Sequence, residues 1–286
     1  MNTPRLLAVH DLCSYGRCSL TAAIPTLSAL GVQVCPFPTA LFSNNLTYDH
    51  VSMYDFSPHM EAFMDVWEQN GCHFDAIYSG FLASADQIKL VEETFRRFAT
   101  PNTFIIIDPA MGDNGELYKV FDDSIIIAMR QLIGHGTLIT PNYTEACLLL
   151  DIPYSEKVPS TKEITNWCQA LCKLGPSQVV ITSIPAPDGE IKNVSFDQDT
   201  QSYEEATTYR VPLQTCGTGD LFTSAVVGYV LRGHSLHSAI EKTTKFLTKC
   251  IQATFDSKAD SREGILIEMN LALLINDDVR SLKKQK

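Results

Sequence analysis

Short runs of apolar residues alternate along the chain with longer segments in which apolar residues recur every third or fourth position. A short unbroken apolar run is typical of a buried strand, and the longer period is typical of a helix that packs on one face. The short runs predict strands at residues 5–9, 32–37, 74–79, 103–108, 137–140 and 178–182. The longer segments predict helices at residues 19–30, 58–70, 84–98, 122–133, 143–150 and 161–174.

The pattern changes in the last third of the chain. Residues 194–196 and 203–212 have β character, and a glycine turn, two helices that reach about Cys250 and a helix at residues 264–275 follow them. Alternating strands and helices with short connections predict an α/β fold, in which a largely parallel central sheet carries helices on both faces. No repeat, low-complexity segment or linker divides residues 1–286, so we expect a single domain.

The composition is that of a soluble globular protein, with 45% hydrophobic and 19% charged residues. No apolar run approaches the roughly 18–20 residues that cross a bilayer, and the run at residues 6–9 is too short for a secretory signal. We therefore expect a cytoplasmic protein without a membrane partner. The nine cysteines are odd in number and form no CxxC pair, which favours reduced thiols.

The formal net charge of −11 argues against nucleic acid as a partner, because surfaces that bind nucleic acid depend on clustered Lys and Arg. The basic residues 283–286 are typical of a solvated terminus. A nucleotide is still compatible with an acidic chain, since backbone N–H groups and a metal ion can hold its phosphates.

Polar residues follow the predicted strands at the points where the strands end. Ligands of such sheets bind beyond the carboxyl ends of the strands, so these residues form the candidate site. They are His10, Asp11 and Ser14, Ser43 and Asn45, Ser79, Asp108 and Asp113, Thr140, Asn142 and Glu145, and Thr182 and Ser183.

Acidic residues in this set suggest a metal ion. A carboxylate at a crowded sheet edge is costly unless it meets a cation, although each acid alone is also compatible with a cap or a turn. Hydrated Mg²⁺ prefers carboxylate oxygens, and one further acid would be left as a base. The four acids are Asp108, Asp113, Glu145 and Asp220.

The anion site is expected late in the chain, at Gly217-Thr218-Gly219-Asp220. No Gx4GK[ST] sequence occurs and no GxGxxG follows the first strand, so neither a P-loop nor a dinucleotide fingerprint is present. The two glycines permit a tight turn whose N–H groups converge, and the following helix adds the positive end of its dipole. The same four residues are equally typical of an Asp-capped helix, so the other motifs must decide.

These motifs resemble those of the ribokinase-fold vitamin kinases, and more closely those of the pyridoxal and pyridoxamine kinases, particularly the bacterial pyridoxamine-kinase-like branch. The resemblance spans roughly residues 6–251. It implies a ribokinase-like fold, ATP and Mg²⁺ as cofactors, a homodimer, and phosphorylation of the hydroxymethyl group of a B6 vitamer. The matching segments are Gly217-Thr218-Gly219-Asp220, Asp108-Pro109-Ala110-Met111-Gly112-Asp113, Thr140-Pro141-Asn142-Tyr143-Thr144-Glu145, Val9-His10-Asp11, Tyr15-Gly16-Arg17-Cys18-Ser19-Leu20-Thr21, Tyr78-Ser79-Gly80-Phe81-Leu82 and Asp113-Asn114-Gly115-Glu116-Leu117-Tyr118.

The resemblance also implies a role for each matching residue. Asp220 is expected to be the base that takes the proton of the acceptor hydroxyl, with Gly217, Thr218 and Gly219 as the anion hole. Residues expected to bind the nucleotide are Asp108, Asp113, Tyr118, Thr140, Asn142, Glu145, Thr182 and Ser183, of which Asp108 and Glu145 serve Mg²⁺. Residues expected to bind the vitamer are Asp11, Ser14, Ser43, Asn45, Phe81 and Asp220.

Four positions on the vitamer side bear on which ring is phosphorylated. Asn45 and Leu46 replace a His-Thr pair of many relatives, which affects one polar contact to the ring. Phe81 replaces a frequent Tyr, which keeps a ring for stacking and loses a hydroxyl. Asp11, which the pyridoxamine-kinase-like branch shares, could pair with a protonated pyridine nitrogen.

Two alternatives stay open from the sequence. A hydroxymethylpyrimidine or sugar kinase would share the fold and the glycine turn, because a fold does not fix the acceptor. A non-catalytic protein that binds a nucleotide or a vitamer is compatible with the altered second loop. Such a protein would not need Asp220 as a base.

Overall fold

Strands and helices alternate along the computed structural model, which describes residues 3–275. The strands are β1 (Arg5–Cys13), β2 (Gln33–Phe42), β3 (Met53–Asp55), β4 (Ala76–Ser79), β5 (Phe104–Ile107), β6 (Gly112–Asp113), β7 (Glu116–Leu117), β8 (Leu138–Ile139), β9 (Gln178–Pro185), β10 (Glu190–Asp197) and β11 (Ser202–Tyr209). The helices are α1 (Ser19–Ala29), α2 (Ser57–Gln69), α3 (Ala85–Phe98), α4 (Ser124–Leu132), α5 (Tyr143–Leu150), α6 (Thr161–Cys172), α7 (Thr218–Leu231) and α8 (Leu236–Ser257).

Within residues 3–275, nine strands form one sheet in the order β11-β10-β9-β8-β5-β4-β1-β2-β3. The six strands from β9 to β2 pair in parallel, and β10, β11 and β3 add antiparallel edges. The short strands β6 and β7 pair with each other as a separate ribbon. The predicted α/β fold with a largely parallel sheet is confirmed.

One strand supplies apolar side chains to both faces of the sheet, because successive side chains of a strand point in opposite directions. Leu7 and Val9 of β1 pack in the core that α2 to α6 cover, whereas Leu6 and Ala8 pack in the core that α1, α7 and α8 cover. Helix α7 is buried over most of its length, which explains why its sequence is apolar on every side.

Strands β1, β2 and β9 are longer than the apolar runs predict. The interpretation of His10 and Asp11 as residues after the first strand is therefore wrong, since β1 continues through them to Cys13. Thr182 and Ser183 likewise lie inside β9. Backbone pairing with the neighbouring strand continues past the first polar residue, which a count of apolar residues cannot detect.

Other differences lie in short or terminal segments. Strands β3, β6 and β7 were not predicted, because two or three residues are too few to show a period. In the segment predicted as a helix at residues 264–275, helical residues begin only at Leu271, and the basic residues 283–286 lie outside the described range. No helix in the described part of the chain is long and apolar enough to cross a membrane.

Candidate active site

Helix α7 begins at the predicted glycine turn. Its N-cap is Gly217, which has a φ of 85°, a left-handed value that glycine adopts without strain. The first intrahelical bond runs from the N–H of Leu221 to the carbonyl of Gly217 at 3.0 Å. The N–H groups of Thr218, Gly219 and Asp220 therefore precede the helical ladder, and with the helix dipole they can receive an anion.

The side chain of Asp220 is held through both of its oxygens. Oδ1 lies 2.8 Å from Nε2 of His10, and Oδ2 accepts a hydrogen bond from the backbone N–H of Ser19 at 2.7 Å. Nδ1 of His10 lies 2.9 Å from Oδ1 of Asp11. His10, which is 1% exposed, thus joins the carboxylate on α7 to a carboxylate on β1.

Charge in this cluster decides the protonation of its members. Burial by itself lowers the pKa of His10, but the charge of Asp220 and hydrogen bonds with Asp11 and Asp220 outweigh burial and raise that pKa to about 10. Burial raises the pKa of Asp220, whereas the charge and hydrogen bond of His10 and the N–H of Ser19 lower it below its usual value. Asp220 is therefore ionised at neutral pH, as a base must be.

Asp108 and Glu145 form a second pair of buried acids. Asp108 follows β5, is 6% exposed and accepts a hydrogen bond from the Thr223 hydroxyl of α7 at 3.2 Å. Oγ1 of Thr223 lies 2.9 Å from Oγ1 of Thr140. Burial and the charge of Asp220 raise the pKa of Asp108 to about 7. Burial and the charge of Asp108 raise the pKa of Glu145 well above its usual range.

These raised pKa values fit a site for a divalent cation, because a cation would offset the repulsion between two buried carboxylates. Among residues 3–275, no three His, Cys, Asp or Glu side chains form a group that could hold a metal ion. Asp108, Asp113, Glu145 and Asp220, the four acids that the sequence suggests for a metal ion, therefore do not surround a common metal position, and Asp113 is exposed on β6. Mg²⁺ needs no such cage, since it keeps waters and binds phosphate oxygens.

Asn142 joins the start of α5 to the β6–β7 ribbon. Its Oδ1 accepts from the N–H of Glu145 at 2.9 Å, and its Nδ2 donates to the carbonyl of Gly112 at 2.8 Å. Glu145 completes a capping box, because its Oε2 accepts from the N–H of Asn142 at 2.8 Å. The ribbon carries Asp113 and leads into Tyr118, and both residues are exposed.

The bulged part of β9 lies next to this junction. Thr182 forms a parallel bridge with Asn142, and its N–H donates to the carbonyl of Pro141 at 3.0 Å. Ser183 has a φ of 59°, and its N–H donates to Oδ1 of Asn193 at 3.1 Å. The structure therefore brings Thr182 beside the α5 junction and leaves Ser183 exposed at the bulge.

Two of the residues expected on the vitamer side are positioned by the sheet. Asp11 is buried and held by His10. Phe81 follows β4, and its ring packs against Phe121 with centroids 5.6 Å apart. Ser14 is exposed, with its backbone N–H bonded to the carbonyl of Phe42.

The other two expected residues use their side chains inside the protein. Nδ2 of Asn45 donates to the carbonyl of Arg262 at 2.6 Å and to the sulfur of Cys216 at 3.2 Å. The hydroxyl of Ser43 donates to Oδ1 of Asn44 at 2.7 Å. Asn45 thus fixes the loop after β2 to the segment that precedes the glycine turn.

Reasoning from the sequence placed His10 in the candidate site without giving it a role, and it singled out neither the N–H of Ser19 nor Thr223. A polar pair inside an extended strand was a signal for His10, since buried charged groups need partners. Thr223 lies three residues after Asp220, which places both on one side of the helix. The N–H of Ser19 carried no signal, because every residue except proline has one.

A sequence model of the phosphomethylpyrimidine kinase family matches residues 15–263. The structure is similar to that of a candidate phosphomethylpyrimidine kinase from Bacteroides thetaiotaomicron, with a TM-score of 0.92, 39% identity, and coverage of 95% of this chain and 93% of that one. A second crystal form of that protein, with pyridoxal, gives a TM-score of 0.91 at 39% identity, covering 96% of each chain.

Two named pyridoxal kinases are also similar to the chain. The structure of the Lactobacillus plantarum enzyme matches with a TM-score of 0.88 and 26% identity, over 98% of this chain and 99% of that one. The sequence of the Burkholderia orbicola enzyme is 26% identical over 277 residues, which cover 93% of this chain and 94% of its own length.

Proposed function

The chain belongs to the phosphomethylpyrimidine kinase family, and we propose that it is an ATP-dependent kinase that phosphorylates the hydroxymethyl group of a B6 vitamer. Pyridoxal, pyridoxine and pyridoxamine all carry this group. The similarity to pyridoxal kinases over almost the whole chain supports the proposal, as does the pyridoxal in one crystal form of the Bacteroides thetaiotaomicron relative.

One observation carries the proposal. An ionised carboxylate, Asp220, stands in the first turn of a helix, among N–H groups that can bind a phosphoryl group, and His10 and Ser19 hold both of its oxygens. A helix cap would need neither the buried imidazole nor the neighbouring acid Asp108. A protein that only binds nucleotide would not need a base there, so this geometry favours transfer over binding alone.

The reaction follows from these positions. Asp220 takes the proton of the hydroxymethyl group while the oxygen of that group bonds to the γ-phosphorus of ATP. The bond from that phosphorus to the β,γ-bridging oxygen breaks, and ADP is released. The N–H groups of Thr218 and Gly219, at the Gly217 turn, stabilise the negative oxygens of the transferring group. Such a transfer depends mainly on positioning and on charge neutralisation.

Mg²⁺ bound with ATP supplies part of that neutralisation, and Asp108 and Glu145 would hold the ion and its waters. The nucleotide lies along the α5 junction, where Thr140, Asn142 and Thr182 border it. Asp113, Tyr118 and Ser183 are the exposed residues at the rim of this region. We also propose that the protein is a homodimer, as the sequence resemblance implies, and that it acts in the cytoplasm.

On the vitamer side, Asp11 is placed to pair with a protonated ring nitrogen, and Phe81 offers a ring for stacking. The other residues proposed to lie on this side are Ser14, Ser43 and Asn45. A phosphomethylpyrimidine kinase activity is the second candidate, because the matching family carries that description. A pyrimidine ring nitrogen could meet Asp11 in the same way.

ADP release, measured with each acceptor in turn, tests the proposal. The panel is pyridoxal, pyridoxine, pyridoxamine, hydroxymethylpyrimidine, its monophosphate and ribose, with Mg²⁺-ATP present throughout. We expect a B6 vitamer to give the highest kcat/KM and Asp220→Asn to abolish turnover while ATP binding persists. Turnover with the pyrimidines alone would establish the second candidate, and unchanged turnover in Asp220→Asn would remove Asp220 as the base.

A further inference from the structure

We propose that His10 is a positioning residue, whose charged imidazole fixes both the base and the acid that faces the vitamer ring. The inference rests on the function proposed above, in which Asp220 is the base and Asp11 meets the ring. His10 itself contacts neither ATP nor the acceptor in that reaction. It acts through the two carboxylates that it joins.

The two ring nitrogens of His10 face two different acids. Nε2 lies 2.8 Å from Asp220 and Nδ1 lies 2.9 Å from Asp11, so a doubly protonated ring can donate to both carboxylates. The N–H of Asp11 also lies 2.9 Å from Nδ1, a contact that suits a neutral ring. A neutral ring would leave two carboxylates close together without a cation, which costs more than one backbone bond.

The ring of His10 packs closely against the backbone of Gly80 and the ring of Tyr78. A Cβ atom at Gly80 would lie 2.0 Å from its Cδ2 and 2.2 Å from its Nε2, so the backbone of Gly80 lies directly against the ring. The ring of Tyr78 stands perpendicular to it, with centroids 6.1 Å apart. A ring held this tightly fixes the direction of the Asp220 carboxylate before substrate arrives.

The charged and titratable groups around His10 come from four elements. They are Asp11 on β1, Asp220 on α7, Asp108 after β5 and Tyr78 on β4. His10 is the cation within this acidic group. Its removal would therefore leave the base both less fixed and harder to ionise, and it would leave Asp11 free to turn away from the ring.

Two substitutions at His10 separate its two contacts. In His10→Gln the side-chain amide reaches the position of Nε2 and keeps a hydrogen bond to Asp220, whereas in His10→Asn it reaches only the position of Nδ1, near Asp11. We expect kcat to fall about 100-fold in His10→Asn and about 10-fold in His10→Gln, with the KM for ATP within about 2-fold of wild type in both. The acidic limb of the kcat profile should move to higher pH, most in His10→Asn.

A third variant moves the ring without removing it. The methyl group of Gly80→Ala would push His10 away from Asp220, so kcat should fall as in His10→Asn. Because the methyl group acts through the ring, Gly80→Ala should cause little further loss in a His10→Asn background. Additive losses in the double variant would show that Gly80 acts independently of His10.

Three comparisons keep the test decisive. Tyr78→Phe keeps the ring that packs on His10 and should leave the pH profile unchanged. Binding of a non-hydrolysable ATP analogue and the thermal midpoint report folding, and Gly80→Ala still tests the inference if a His10 variant does not fold. Loss of turnover in Asp220→Asn with an unchanged kcat in His10→Asn would overturn only the role of His10. Unchanged turnover in Asp220→Asn would remove Asp220 as the base, and the absence of ADP release with any B6 vitamer would overturn the proposed function.

Discussion

The Cα of Gly217 faces the backbone carbonyl of Arg17 so closely that a Cβ atom at position 217 would lie 2.1 Å from the carbonyl oxygen. This contact joins the turn before α7 to the segment before α1. Ser19, the first residue of α1, donates its backbone N–H to Asp220. The predicted cradle and the support of its base therefore depend on one close approach between two backbones. Two separate constraints require glycine here, the contact and the φ of 85°.

Gly217→Ala should lose stability and turnover together. A left-handed φ costs a residue with a Cβ about 1–2 kcal/mol, and the clash adds to that cost or displaces the turn. Gly233→Ala is the matched control, because Gly233 has a φ of 89° with nothing within 4 Å of its Cβ position. Urea unfolding should show that Gly233→Ala loses only the stability that the left-handed backbone conformation costs an alanine, and ADP release should show that its turnover is unchanged. Equal effects of the two variants would mean that the contact with Arg17 is unimportant.

Asp108→Asn should raise the free energy of unfolding measured in the absence of ATP, and it should abolish most of the turnover. The pKa of Asp108 is raised to about 7 in the folded protein, so ionisation of this side chain opposes folding at any pH above the pKa that it has in the unfolded chain. The advantage of the variant should grow by about 2 kcal/mol between pH 5.5 and 8.5, at about 1.4 kcal/mol per unit of pKa. Urea unfolding at both pH values measures this growth, with exposed Asp199→Asn as the control. A variant less stable than wild type at pH 8.5 would contradict the raised pKa.

Asn142→Ala should raise the KM for ATP more than the KM for the vitamer. The substitution removes the cap of α5, worth about 1 kcal/mol, and the bond that holds the ribbon at Gly112. Ser160→Ala removes an equivalent capping box from α6, away from the site. Steady-state kinetics with unfolding measurements should give similar losses of stability in both variants and a higher KM for ATP only in Asn142→Ala. A shift in the vitamer KM alone would place the nucleotide elsewhere.

The stability that His10 contributes should disappear at alkaline pH. Its pKa is raised to about 10, so the contribution is fully present below about pH 6.5 and is lost as the pH rises towards 10. The difference in unfolding free energy between wild type and His10→Gln should shrink by about 3 kcal/mol between pH 7 and 9.5. A difference that stays constant over this range would show that the buried imidazole is neutral.

The sequence by itself determined the alternation of strands and helices, and hence the α/β sheet. Apolar residues must be buried, and their period along the chain shows which element buries them. It also located the glycine turn at Gly217, because that motif depends on residues close together in the chain. Family resemblance supplied the expected roles of the acids.

Only the tertiary structure decided which groups meet. His10 and Asp220 are far apart in sequence, and a one-residue register slip between His10 and Leu12 interrupts the pairing of β1 with β2 beside the site. The N–H of Ser19 and the hydroxyl of Thr223 became partners of the acids for the same reason. Local patterns record which side chains are buried and which turns are possible, whereas contacts between distant segments arise only when the strands pair and the helices pack.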